Sequence, residues 1–125
     1  MKHRTIVIGG LMLGAGILAG CGNKDEVSFQ KNVMPIFKDN CLKCHAQGAE
    51  GYEKSGLGLY SYEAVMKGTK FGPVVKPGDS LSSVLNQVVE GRVDKSIHMP
   101  HGGAPLPEDD IATLKAWVDQ GAKNN

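Results

Sequence analysis

At 125 residues the chain has room for one small domain, less any targeting segment. Aromatic residues make up only 6%, so a core built from side chains alone would be thin. With 14 Lys and Arg against 13 Asp and Glu the formal charge is +1, and no basic patch marks a nucleic-acid face.

The first twenty residues do not read as fold. Met1-Lys2-His3-Arg4 is basic, and Thr5 to Ala19 is apolar, glycine-rich and uncharged. The run closes as Leu18-Ala19-Gly20-Cys21, the three-part form of a secretory signal, here resembling the lipobox of bacterial lipoproteins. The expectation is a signal peptide over 1–20, cleavage before Cys21, lipidation of Cys21, and a small polar tether over 21–27. A retained membrane span is disfavoured because the apolar run is short for a bilayer crossing. Ordinary signal cleavage would instead leave Cys21 as a free thiol. Without Lys2 and Arg4 the formal charge becomes −1.

The domain proper is expected over 28–125. Ser28 can cap a first helix over 29–40, with Phe29, Val33, Ile36 and Phe37 on one apolar stripe. Pro35 inside it implies a kink, or a late start with the proline in the first turn. The last turn runs into Cys41-Leu42-Lys43-Cys44-His45, a C-x-x-C-H run. Two thiols three positions apart can form thioethers with the two vinyl groups on one porphyrin edge, and the next histidine can bind the iron. The residues thus predict one covalent haem c, held by Cys41 and Cys44, with His45 as proximal ligand. A dithiol redox pair normally lies in a βαβ setting, which is not seen here. A closed zinc site would need a fourth ligand from a second pair, and the chain has only three cysteines.

Residues 46–60 read as a glycine-bearing loop. A short helix follows from a Ser61 cap through Tyr62 to Lys67, stopping at Gly68. Asp79 or Ser80 caps a third, in which Leu81, Val84, Leu85, Val88 and Val89 form a core stripe that Gly91 ends. Residues 92–107 form a loop containing His98-Met99-Pro100-His101. The last helix opens at Pro107 with Glu108, Asp109 and Asp110, which suits the helix dipole, and buries Ile111, Leu114, Trp117 and Val118 before Gly121. The fold class is all-α: three to four helices and loops wrapped around one haem. A core this thin without the cofactor implies a largely unfolded apo-protein.

Met99 is the preferred distal iron ligand, since a loop thioether followed by a stiffening proline leaves the iron six-coordinate. His98 and His101 are the alternatives, and Met34 and Met66 read as packing.

These stretches resemble a small class I cytochrome c over 28–122, and within that class the planctomycete-type cytochrome c domains. The similarity rests on Val33-Met34-Pro35-Ile36-Phe37 ahead of the cysteine motif, Gly58-Leu59-Tyr60-Ser61-Tyr62-Glu63-Ala64, Val75-Lys76-Pro77-Gly78-Asp79-Ser80, Met99-Pro100 and the closing helix Ile111 to Gly121. It implies the cytochrome c fold, in which first and last helices cross where Phe37 meets Leu114 and Trp117. It also implies Met99 as distal ligand, and the Pro73 carbonyl as partner of the proximal histidine's other nitrogen.

The function expected is an extracytoplasmic, membrane-anchored electron carrier, serving a redox donor and acceptor, with no substrate transformed. Periplasmic placement follows from export, because thioether attachment takes place outside the cytoplasmic membrane. Gly22 is not the aspartate that commonly keeps lipoproteins on the inner membrane, which leaves the outer membrane open. The alternative is an open-coordination haem enzyme or gas sensor, in which Met99 is not a stable ligand and His98 or His101 serves as a distal acid-base group. A haem-bearing accessory subunit of a larger complex is a third reading.

Overall fold

The computed structural model describes residues 25–125. The signal segment 1–20 and Cys21 lie outside them. Six α-helices follow in order: α1 (Met34–Asn40), α2 (Leu42–His45), α3 (Glu50–Ser55), α4 (Tyr62–Lys67), α5 (Val84–Val89) and α6 (Glu108–Asp119). A π-helical turn, Phe29–Val33, leads into α1, and a 3-10 turn, Lys95–Ile97, precedes Met99. Among the described residues there is no strand, only an isolated bridge between Thr69 and Gly72. The all-α expectation holds, with six helices in place of three or four.

The first helical stretch is two elements. Ser28 caps it, its hydroxyl accepting from the Lys31 amide at 3.2 Å, but the first turn is wide and the Met34 amide reaches back to Phe29 O. Pro35 then stands in the first turn of α1, where its missing amide costs nothing. The Phe29 amide donates to Asn125 Oδ1 at 2.9 Å, and the Gln30 amide to Asn125 O at 3.0 Å. Asn125 therefore satisfies donors at the start of the widened turn.

The last helix packs on the first helical stretch through the π-helical turn, with Phe29 as the residue in contact. Phe29 lies 5.5 Å from Trp117 between ring centroids, 6.4 Å from Phe37 and 5.3 Å from Tyr62. Phe29, Phe37, Leu114 and Trp117 are all fully buried. Trp117 satisfies its indole N–H on Lys123 O at 3.0 Å, so the ring is buried without an orphaned donor.

Two elements depart from expectation. Residues 46–60 carry α3. The third expected helix starts late, at Val84, with Leu81 70% and Val84 44% exposed, so two of the five residues of the expected core stripe face solvent. Side chains take the carbonyls that a helix over 80–83 would need. Arg92 donates to Leu81 O at 2.9 Å and Ser80 O at 3.3 Å, and Gln87 donates to Leu81 O at 3.1 Å. Asp79 meanwhile folds over its own turn, accepting from the Ser82 amide at 3.0 Å and hydroxyl at 2.6 Å. Lys76 and these Ser82 bonds hold the Asp79 carboxyl well below the usual carboxylate range.

The expected tether is docked at its end. The Val27 amide donates to Gln120 Oε1 at 2.7 Å, Glu26 pairs with Lys123, and Val27 packs on the core. Among the described residues no helix is long and apolar enough to cross a membrane.

Candidate cofactor-binding site

Cys41, Cys44 and His45 fall on one tight piece of backbone. The Cys41 amide closes α1 on Phe37 O at 2.8 Å, and the Cys44 and His45 amides both return to Cys41 O, at 3.1 and 2.9 Å. Cys41 breaks the helix at φ −123, and α2 resumes for a single turn. Spacing of three along this turn sets the two thiols on one side. Both are free, Cys41 half-buried and Cys44 exposed. Burial pushes the Cys41 thiol up to about 11, with Cys44 adding to the shift, so it is a neutral nucleophile in waiting rather than a thiolate.

The His45 ring is oriented by the main chain. Its Nδ1 lies 3.1 Å from Leu57 O. A carbonyl can only accept, so Nδ1 carries the proton and Nε2 is left with a free lone pair. That is the tautomer an iron ligand needs, with its second nitrogen already held. The donor set thus fits haem c: two thiols, one oriented imidazole. The partner anticipated by resemblance, Pro73, is not the one used. Helix α3 fills the space between α2 and the following chain and delivers the Leu57 carbonyl instead, while Pro73 packs on Gly68, where an added Cβ would lie 2.6 Å from Pro73 Cα.

Helix α3 is part of this site. Its Gly51 lies so close to α2 that an added Cβ would stand 2.7 Å from Cys44 O. Gly56 ends the helix at φ +78, its amide on Tyr52 O at 2.6 Å. Ser55, Gly51 and the Leu57 carbonyl are the site features that sequence reading missed. The spacing of Glu50 and Lys54, which pair at 2.5 Å, with Gly56 just beyond, was the available signal for a helix.

Met99 packs, half-buried, against the core, and its amide donates to Val88 O at 3.0 Å, which fixes the loop to α5. His98 is half-buried, its ring lying over Gly91, where an added Cβ would stand 3.2 Å from Nε2. His101 is exposed. Met34 is 7% exposed in the core and Met66 packs on it, in keeping with a packing role. Among the described residues no three His, Cys, Asp or Glu side chains converge as a closed metal site would require.

The Planctomycete cytochrome C family model matches residues 41–102, from the first cysteine of the motif to just past Met99-Pro100. The chain carries a planctomycete-type cytochrome c domain. No curated protein and no solved structure is significantly similar to it. Cytochrome c domains bind haem and generally transfer electrons, and the family implies haem c. In this cytochrome the matched region holds the cysteine motif, α3 and the Met99 loop, and the crossing helices enclose it from outside the match.

Proposed function

We propose that this cytochrome is a mono-haem electron carrier held on the extracytoplasmic side of a membrane by lipid on Cys21. The observation that carries the reading is the His45 Nδ1–H bond to Leu57 O, which presets the ligating nitrogen beside the two free thiols of the motif. Bound haem c supplies the one-electron couple. Cys41 and Cys44 would hold it as thioethers, so that it would not leave. His45 would offer Nε2 to the iron, while Leu57 keeps the imidazole in one tautomer. Met99 would offer its thioether as the second ligand, which would raise the potential and occupy the position that a substrate or gas would need. The lipid confines the search for membrane-bound donor and acceptor to a surface, which raises their effective concentration.

The test is expression of the full chain in cells that export proteins and attach haem c. The purified protein should carry the mass of one haem that survives denaturation, and should fractionate with membranes. Cys21→Ser should release it in soluble form with its haem intact. A soluble wild type would remove the lipid anchor from the reading, and absence of covalent haem would remove its centre.

A further inference from the structure

We propose that Ser55 is a positioning residue that sets the strength of the hydrogen bond on the proximal histidine, and through it the haem reduction potential. The inference rests on the haem reading above and deepens it. Its starting point is what holds the Leu57 carbonyl still. Leu57 follows Gly56, the left-handed residue ending α3, so its amide lies beyond the helical ladder and needs a partner of its own. Ser55 takes it: the Leu57 amide donates to Ser55 Oγ at 3.0 Å, and the same hydroxyl donates to Gly51 O at 2.6 Å. The hydroxyl is therefore a two-sided clip between the body of α3 and the residue whose carbonyl receives His45 Nδ1–H at 3.1 Å.

The carbonyl is held from its other side as well. Two residues on, the Leu59 amide donates to His45 O at 3.0 Å, tying the outgoing chain to the histidine's own backbone. Between these anchors only φ and ψ of Leu57 and Gly58 stay soft. Helix α3 is itself fixed to the donor's side, because Gly51 packs directly on Cys44. Donor and acceptor thus ride on two elements in contact, and Ser55 is the one side chain that joins the acceptor's amide to α3.

A carbonyl accepting from Nδ1–H makes the imidazole a more basic ligand, which favours ferric over ferrous iron and lowers the potential. Without the Ser55 hydroxyl the Leu57 amide loses its partner, the turn relaxes, and the histidine bond lengthens. Ser55→Ala should therefore raise the potential, seen as a severalfold rise in the ferrous-to-ferric ratio at a fixed applied potential. The His45 Nδ1 proton should exchange with solvent faster. Ser55→Thr keeps the hydroxyl and should restore both.

The experiment uses the full haem-loaded chain, with covalent haem checked first in wild type and variants. Wild type lacking covalent haem overturns the functional reading and this inference together. Haem attached in Ser55→Ala, with unchanged potential and unchanged Nδ1 proton exchange, overturns this inference alone. An equal shift in Ser55→Ala and Ser55→Thr also overturns it, since then the hydroxyl is not the cause. Should Ser55→Ala not fold, wild-type amide exchange decides: the Leu57 amide and the His45 Nδ1 proton should be protected together, and a Leu57 amide exchanging like open loop contradicts the clip.

Discussion

Met99 carries the sharpest prediction at the level of single side chains. Met99→Ala should open one iron position, so the ferrous protein should bind carbon monoxide, and its potential should fall because the thioether that favours ferrous iron is gone. His101→Ala should leave both properties unchanged, since that ring is exposed. Alkylation tests whether the haem-free chain keeps this fold, against the expectation from its thin core that it largely unfolds. In the fold, exposed Cys44 should react at pH 8 well before Cys41, whose half-buried thiol is shifted to about 11, and in an unfolded chain the two should react alike. Because folding raises this acid's pKa above its ordinary value of 9.0, the folded state holds the extra proton. The Cys41 contribution to haem-free stability should then be full below pH 9.0 and fall as pH rises toward about 11. Thioether formation should abolish that alkaline loss. The side chains with local spacing, Cys41, Cys44 and His45, were legible in the sequence because their chemistry is written in five consecutive residues. The Leu57 carbonyl was not, since every residue has one and only the path of α3 brings this one to the imidazole.

Among the elements, α4 and α6 were legible and α3 and the start of α5 were not. Ser61 caps α4, accepting from the Ala64 amide at 3.1 Å, and Gly68 ends it. Three acidic residues fill the first turn of α6, and both helices are local patterns with local signals. Helix α3 was hidden by Gly48, Gly51, Gly56 and Gly58, which weaken the intrinsic case for helix. Gly51 is there for tertiary reasons: only a residue without Cβ lets α3 rest on Cys44. Gly51→Ala should therefore destabilise the protein by about 1–3 kcal/mol, as overpacking does, although alanine is the better helix former. Thermal melting of the haem-loaded variant checks this, and a Tm equal to or above wild type would mean that α3 is free to move. In α5 the apolar spacing was right and the start was wrong, because periodicity does not register competition for carbonyls. Arg92, by holding Ser80 O and Leu81 O, keeps that turn out of the helix.

At the scale of the whole molecule, the π-helical turn, α4 and α6 meet at Phe29, which touches rings from both ends of the chain. Trp117 closes that cluster, and truncating a buried aromatic costs about 3–5 kcal/mol. Small domains have only about 5–15 kcal/mol in hand, so Trp117→Ala should lower the melting temperature of the haem-loaded chain well below wild type by circular dichroism. The family resemblance already implied that the first and last helical stretches meet, while the clasp of Asn125 over Phe29 and Gln30 joins residues far apart in sequence and left no local pattern. One covalent haem enclosed by this fold, with two protein ligands on its iron, is tested most directly by the absorption spectrum of the reduced, exported protein before and after carbon monoxide. The expected result is a c-type haem spectrum that carbon monoxide leaves unchanged. A prompt spectral shift would show a vacant or labile iron position and favour an open-coordination enzyme or sensor, and a protein with no covalent haem would overturn the electron-carrier function altogether.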